Sequence, residues 1–433
     1  MYRKSILENG IRVVTESMPS VRSVAMGIVV DTGLRDEQPG KSGQAHMVEH
    51  LMFQGTSNRD SLQIARLMDE AGGRIGGFTT RDYTCYAATV LDDYRTYALE
   101  LLGDILLNSR FLPGDIEKEK KTILREIDAQ YDMPDNRVDT LLKAHTWNGH
   151  PLGMPVTGIP ETISSLTRDD VVNFVDTHYL PQRLIIAAAG NIEHHDFVAQ
   201  VQDAFWPMLG DPKPLCSRPL KYHSGVAVAH MPVTQAYFSI GLKAHPFAHP
   251  ERYGLHIFNK ILGDGISSRL FRRIREDQGL VYEIGSHYHA YRDGGLMVIE
   301  GSTKPECFQQ VLAQTLDALS QLIMGHDPVQ SEELVRAKNQ IKGQHLIASE
   351  DTNTRMSRLA TQELYFGQYI SKEDIVAQIE KIDMKYIEDI TQKSLMQNLD
   401  KISVAVVGPK KPWRYDDLAK ETLQENRNCF QWN

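Results

Sequence analysis

The sequence predicts an α+β protein built from two tandem homologous domains, each a mainly antiparallel sheet with helices packed on one side. The chain has 433 residues, which is more than one hydrophobic core usually covers. The second half repeats the order of the first, because the strand pattern at 236–242 corresponds to that at 23–30. Likewise, an apolar strand ending at Gly408 corresponds to one ending at Gly190.

A stretch that breaks all periodicity separates the two halves. Residues 210–219 contain three prolines, which is typical of a linker. We therefore expect a first domain at 1–209, a Pro-rich linker at 210–223 and a second domain at 224–433. We also expect the second domain to be free of metal, because only the first contains the pattern H-x-x-E-H, which is described below.

Composition excludes several classes of function. Hydrophobic residues make up 41% of the chain and charged residues 24%, as is usual for soluble globular proteins. A net charge of −9 without any basic block argues against nucleic acid and against an anionic membrane as partners. No apolar run is long enough to span a bilayer.

The cysteines and the N-terminal segment indicate a reducing compartment. The four cysteines are scattered without any C-x-x-C spacing, so neither a disulfide framework nor a thiolate metal site is predicted. The first residues lack the apolar segment of a secretion signal and run directly into a strand pattern. We therefore expect a cytoplasmic protein.

In chain order, the first half alternates strand and helix patterns. Strands are predicted where β-favouring residues alternate, and helices where apolar residues recur every three or four positions. The predicted strands are 10–16, 23–30, 74–80, 84–91 and 183–190, and the predicted helices are 61–71, 94–107, 113–127 and 169–178, with a further helix over the motif described next.

The segment 43–56 contains the pattern H-x-x-E-H. In a helix, His46 and His50 lie on one face with their Cβ atoms about 5–6 Å apart, so their rings can share a metal ion. Glu49 lies on nearly the same face and can reach a metal-bound water. Two histidines at this spacing are often simply polar surface residues. Here, however, apolar residues 51–53 follow directly, and polar groups on a buried helix need a purpose.

Two histidines are too few for catalytic zinc, which takes three protein ligands and keeps one position for water. The predicted helix 113–127 offers a third ligand in Glu126, which lies between apolar Leu124 and Ile127. Glu119 lies two turns earlier on the same face. The remaining charged residues of this helix fit a solvated surface, whereas Glu126 fits it poorly. Other histidines, at 194–195 and 287–289, lack a carboxylate at ligand spacing and are expected to be surface or strand residues.

The motif His46-x-x-Glu49-His50, with Glu126 76 positions after His50, resembles the pitrilysin/insulinase family of zinc metallopeptidases. The resemblance is to the branch that includes mitochondrial processing peptidase and its bacterial relatives. It implies that His46, His50 and Glu126 bind one Zn²⁺ per chain and that Glu49 is the general base. It also implies that Glu119 is an outer carboxylate that orients a ligand.

The resemblance covers the second half as well. It implies that Arg275 and Tyr282 form the pair that holds the substrate, since two donors can fix a peptide carbonyl and steady a developing oxyanion. Considered alone, an arginine late in a helix and a tyrosine on a strand are common features.

The strand that follows Gly72-Gly73 departs from the family pattern. The family usually has Asn-Ala where this chain has Gly76 and Gly77, so a side-chain amide for substrate is missing. The backbone of Gly76, Gly77, Phe78 and Thr79 can still pair with an extended peptide. Two adjacent glycines make this edge more flexible.

We therefore expect a zinc endopeptidase that cleaves short or unfolded peptides. Larger single-chain relatives have four such domains, so the resemblance implies a clamshell homodimer in which Arg275 and Tyr282 reach the partner's zinc. A heterodimer with a related subunit is the alternative assembly. A non-catalytic peptide-binding or core subunit is the alternative function, and the complete sets of metal and Arg/Tyr residues argue against it.

Overall fold

The structure, a computed structural model, describes residues 1–210, 218–410 and 412–430. These residues form short groups of strands separated by groups of helices. The strands are β1 (Tyr2–Ile6), β2 (Arg12–Ser17), β3 (Ser23–Val30), β4 (Arg74–Thr79), β5 (Thr84–Leu91), β6 (Leu184–Gly190), β7 (Gly225–His230), β8 (Ala236–Ala244), β9 (Val281–Ala290), β10 (Gly295–Thr303) and β11 (Ser403–Gly408). The α-helices are α1 (Gln44–Met52), α2 (Ser61–Glu70), α3 (Arg95–Asn108), α4 (Pro113–Asp132), α5 (Pro134–Thr146), α6 (Pro160–Ser165), α7 (Arg168–His178), α8 (His194–Phe205), α9 (Arg252–Leu262), α10 (Phe308–Met324), α11 (Ser331–Ala348), α12 (Thr352–Phe366), α13 (Lys372–Glu380), α14 (Met384–Ile390) and α15 (Tyr415–Phe430).

The chain forms two compact units, and neither is contiguous in sequence. Unit 1 comprises Met1–Asp128, Met154–Ser217 and Leu346–Ile370; unit 2 comprises Ala129–Gly153, Arg218–His345 and Ser371–Asn433. The prediction of a single boundary at 210–223 therefore does not account for two segments. Helix α5 precedes this boundary in sequence but belongs to unit 2, and α12 follows it but belongs to unit 1. Residues 211–217 of that predicted linker lie outside the described residues.

The sheet of unit 1 has the strand order β1-β2-β6-β3-β5-β4. Its neighbours pair antiparallel except for β2 and β6, which are parallel. Strand β6 is buried along its whole length, which explains its continuous apolar sequence. On one face, Met356, Leu359 and Ala360 of α12 pack against apolar residues of β2, β3, β5 and β6. Helix α12 thus completes a core that the first half of the chain leaves open.

The sheet of unit 2 has the order β7-β11-β8-β10-β9, and only β7 and β11 pair in parallel. This order matches β2-β6-β3-β5-β4 of unit 1 strand by strand, with the parallel pair in the same place. Val138 and Leu142 of α5 pack on the sheet with Trp147. The α+β class and the predicted repeat of one plan are therefore confirmed.

No helix among the described residues is long and apolar enough to cross a membrane.

Candidate metal centre

Helix α1 is anchored at its start by a buried glutamate. The backbone N–H groups of Gly43 and Ala45 donate to the Glu37 carboxylate at 2.9 and 2.8 Å. Burial raises the pKa of Glu37 to about 8, and the two backbone donors act in the opposite direction. A carboxylate here satisfies N–H groups that no helical carbonyl can reach. Sequence reasoning missed Glu37, because it lies in a loop six positions before Gly43 and matches no local capping pattern.

The structure brings His46, His50 and Glu126 together in unit 1. Nε2 of His46 is 3.7 Å and Nε2 of His50 is 3.8 Å from Oε2 of Glu126. The two imidazole rings are 4.5 Å apart and inclined by 69°. Ligand atoms bound to one tetrahedral zinc at 2.0–2.1 Å lie about 3.3 Å from one another. Two nitrogens and a carboxylate oxygen at these distances therefore fit a zinc ion with little adjustment.

Glu119 lies behind His50. Its Oε2 is 3.0 Å from Nδ1 of His50, and the residue is only 4% exposed. A hydrogen bond from Nδ1–H to this carboxylate leaves the lone pair of Nε2 free to face Glu126. Glu119 therefore fixes both the tautomer and the orientation of the His50 ring.

The two histidines differ in electrostatics. Burial, followed by the charge of His50, lowers the pKa of His46 to about 3, so its ring is neutral as metal binding requires. Burial would also lower the pKa of His50. The hydrogen bond to Glu119 and the charges of Glu49, Glu119 and Glu126 outweigh burial, so the pKa of His50 is raised.

Glu49 is 8% exposed, and its Oε2 lies 4.0 Å from Nε2 of His46. Burial raises the pKa of Glu49 to about 7; the charge of His50 lowers it and that of Glu126 raises it. A carboxyl group whose pKa lies near neutrality can both accept and return a proton. It stands beside the three ligand atoms without being one of them.

The predicted substrate strand, with Gly76, Gly77, Phe78 and Thr79, lies on β4 at the edge of the sheet of unit 1. A groove of about 610 Å³ runs along β4 and is lined by most of its residues. Phe78 is 43% exposed. Because β4 is the last strand of this sheet, one of its edges has no neighbouring strand among the described residues. An extended peptide can pair with that edge.

Arg275 and Tyr282 are adjacent in unit 2. Arg275 lies in a π-helical turn, Phe271–Glu276, and Tyr282 lies on β9 with 76% of its surface exposed. The guanidinium carbon of Arg275 is 4.5 Å from the ring centre of Phe271 and 5.6 Å from that of Tyr282. Two aromatic rings therefore hold the guanidinium by cation–π contacts. Sequence reasoning did not single out Phe271, although its place four positions before Arg275 is the spacing at which two residues of one helix meet.

Comparison with known proteins identifies the family. Residues 12–159 match the model of the insulinase family, peptidase family M16, and residues 165–341 match that of the peptidase M16 inactive domain. The chain belongs to peptidase family M16. It is 33% identical to YmxG of Bacillus subtilis, named an uncharacterized zinc protease, over 94% of this chain and 98% of the relative. An uncharacterized zinc protease of Streptomyces coelicolor is 34% identical over 94% of this chain and 90% of its own.

Solved structures share the fold of this M16 peptidase. A peptidase M16 inactive domain from Pseudomonas fluorescens superimposes with a TM-score of 0.88, at 19% identity, over 96% of this chain and 99% of the other. A protease from Helicobacter pylori superimposes with a TM-score of 0.87, at 20% identity, over 94% and 100%.

This M16 peptidase holds a second group that sequence reasoning did not predict. His245 directly follows β8, and His249 and Glu251 lie in the loop that leads to α9, so that all three come together in unit 2. The signal was present as the short segment His245-Pro-Phe-Ala-His249-Pro-Glu251. Of the other histidines, His287 lies on β9, as expected for a strand residue, and pairs with Glu300 at 3.1 Å. The expectation was wrong for His194, which is 6% exposed and lies on α8.

Proposed function

We propose that this chain is a zinc endopeptidase that hydrolyses short or unfolded peptides. The observation that carries the proposal is the convergence of Nε2 of His46, Nε2 of His50 and Oε2 of Glu126 beside the buried carboxylate of Glu49. Zinc, when bound by these residues, supplies Lewis-acid activation of water and of a peptide carbonyl. The names of the relatives, which call them zinc proteases, support the choice of metal.

Other residues around the metal group have separate roles. Glu49 takes the proton of the attacking water and returns it to the leaving amine, a role that its position beside the three ligand atoms suits. Glu119 keeps the His50 ring in place. The free edge of β4 pairs with the backbone of an extended substrate, which favours flexible peptides over folded proteins.

The decisive experiment removes the base and keeps the metal. Glu49→Gln should retain about one zinc per chain, because Glu49 is not among the three ligand atoms. It should lower the hydrolysis of a quenched fluorescent peptide by about 10²–10⁴-fold, the usual contribution of a general base. Glu117→Gln, on the exposed side of α4, is the matched control and should behave as wild type. Normal turnover by Glu49→Gln would overturn the assignment.

We further propose that the active form is a homodimer, in which Arg275 and Tyr282 of one chain serve the metal group of the other. The resemblance to larger relatives supports this, and so does the distribution of the two sets between unit 2 and unit 1. A dimer that encloses its sites would exclude folded proteins and admit flexible peptides.

Complementation tests the homodimer. Glu49→Gln and Arg275→Ala/Tyr282→Phe chains should each be nearly inactive alone. A purified mixed dimer would contain one complete site and should regain up to about half of wild-type activity. Mixed dimers as inactive as their parents would show that the pair serves its own chain or none. A chain that elutes only with a related subunit would favour the heterodimer.

We also propose a cytoplasmic location. Cys85 and Cys307 are free thiols, and Cys85 is buried where burial raises its pKa to about 12. Free thiols suit a reducing compartment. Fractionation of cells that produce the protein, followed by immunoblotting, checks this location.

A further inference from the structure

The edge strand β4 presents two different faces to an extended peptide. Its residues alternate between exposed and partly buried along the whole strand. A Cβ atom at Gly77 would lie nearest to the side chain of Glu49, so Gly77 faces α1. Successive residues of a strand point to opposite faces, so Gly76 faces the other side of the sheet, away from the metal group.

That other side is the one that α12 covers. Gly76 pairs with Ala87 of β5, and residues directly opposite in an antiparallel pair share a face. Ala87 packs against the apolar cluster that contains Met356 of α12. The groove along β4 is accordingly lined by Gly76 and Ala87 and, at the start of α12, by Asp351 and Asn353. Helix α12 therefore forms one wall of this groove within unit 1.

Gly76 leaves a slot in the floor of the groove. A Cβ atom added at Gly76 would meet no atom within 4 Å. Its partner Ala87 is also small, so this pair contributes one methyl group and no polar side chain to the floor. The asparagine that the family usually has at position 76 would begin in this space. Glycine leaves the space open for a side chain of a bound peptide.

The edges of the slot favour a large uncharged side chain. Arg74 and Phe78, two positions before and after Gly76, share its face of β4. Asp351 lies on the α12 side of the groove. The opposite charges of Arg74 and Asp351 offset each other, so neither an acidic nor a basic ligand gains. The ring of Phe78, which is 43% exposed, and the methyl group of Ala87 offer apolar surface instead.

We propose that the slot at Gly76 is a specificity subsite that accepts a large aliphatic or aromatic side chain of the substrate. Side chains of an extended peptide alternate in direction, so the residue bound there is the neighbour of one that points to the metal group. The inference rests on the proposed peptidase function and adds to it the class of peptide that is cleaved.

Peptides that differ at one position at a time test the subsite. Each position around the cleavage site carries alanine or phenylalanine in an otherwise identical quenched peptide. In the wild type, kcat/KM at one position should be at least about tenfold higher for phenylalanine, because the slot removes its ring from water. In Gly76→Leu, the ratio at that position should fall below about twofold, because leucine occupies the slot. A loss that is common to both peptides cancels in this ratio, and preferences at the other positions should persist.

A second variant narrows the slot from the opposite wall. Asn353→Phe on α12 should lower the ratio at the same peptide position. Gly114→Leu, at an exposed glycine where a Cβ also meets nothing within 4 Å, is the matched control and should keep the wild-type ratio. An unchanged ratio in either groove variant, or an equal loss of preference at every position, would overturn the proposal.

Peptide binding distinguishes failure of the subsite from failure of the proposed function. A wild-type protein that cleaves no peptide would refute the proposed function. The Glu49→Gln protein still allows the Kd of fluorescently labelled peptides to be measured by anisotropy. It should bind the phenylalanine peptide at least about tenfold more tightly than the alanine peptide. Addition of Gly76→Leu should abolish that difference. Equal affinities in the Glu49→Gln protein would overturn the subsite, whether or not the wild type is active.

Discussion

Each unit brings two histidines and a glutamate within 4.8 Å of one another, yet the two groups use their nitrogens differently. In unit 1, the rings of His46 and His50 are inclined by 69°, and both Nε2 atoms face Glu126 across gaps of 3.7 and 3.8 Å. In unit 2, the rings of His245 and His249 stack 3.6 Å apart at an angle of 10°.

The difference shows that proximity alone does not make a metal site. An imidazole lone pair lies in the plane of its ring, so two nearly parallel stacked rings cannot both point at one ion between them. The second group is also closed by its own hydrogen bonds. Nε2 of His245 is 2.9 Å from Oε2 of Glu251, and the Ser394 hydroxyl donates to the same oxygen at 2.7 Å. In the first group, the gaps between the three ligand atoms leave room for a zinc ion with bonds of 2.0–2.1 Å.

The largest expected effect tests this comparison directly. His50→Ala should reduce zinc from about one per chain to nearly none and abolish peptide hydrolysis, because two ligands do not hold catalytic zinc. His249→Ala should keep about one zinc per chain. Mass spectrometry of metal content after dialysis measures both. Two zinc ions in the wild-type protein, with one lost in His249→Ala, would break the comparison.

An intermediate effect is expected at Glu119, which orients His50 and has no counterpart described in the second group. Glu119→Gln should weaken zinc binding by about 10–100-fold, as the loss of an outer hydrogen-bond partner usually does. Titration with a chelator measures the affinity. Glu117→Gln, two residues away and exposed, should match the wild-type curve. A Glu119→Gln curve that also matches wild type would show that the hydrogen bond does not tune the ligand.

Local elements were predictable because their signals are local. The strands expected at 23–30 and 84–91 occur with those bounds as β3 and β5, and the helix expected at 94–107 occurs as α3 one position later. The H-x-x-E-H spacing likewise determines that His46 and His50 share a helix face, because both lie on α1.

Tertiary features were not predictable from such patterns. The sequence of α12 indicates a helix but not which sheet it covers; that depends on details such as Gly27, where an added Cβ would lie 2.5 Å from Sδ of Met356. Glu37 also binds backbone N–H groups six and eight positions further along the chain, across a loop whose path no local pattern indicates. In the sequence, Gly77 stood out only as the neighbour of Gly76, where the side-chain amide of the family is missing. The structure shows that Glu49 occupies the place where a side chain at position 77 would begin.

The smallest expected effect concerns the second group as a purely structural cluster. Glu251→Gln removes the negative charge of the carboxylate that accepts a hydrogen bond from Ser394 and pairs with His245. The Glu251 side chain is 29% exposed, so the loss should be about 1 kcal/mol, or about 2–4 °C in the unfolding midpoint. Zinc content and peptide hydrolysis should not change. Glu332→Gln, at an exposed position of α11, serves as the control.

The pH dependence of that effect has a definite sign. Burial, and then the charge of His249, lowers the pKa of His245, whereas Glu251 acts in the opposite direction. As the pH falls below the ordinary histidine range, the unfolded chain takes up its proton first, which costs stability. Without the carboxylate, a protonated His245 loses its counter-charge. The difference in unfolding midpoint between wild type and Glu251→Gln should therefore widen from pH 8 to pH 6. A constant difference, or a loss of bound metal in Glu251→Gln, would contradict the picture of a closed, metal-free cluster.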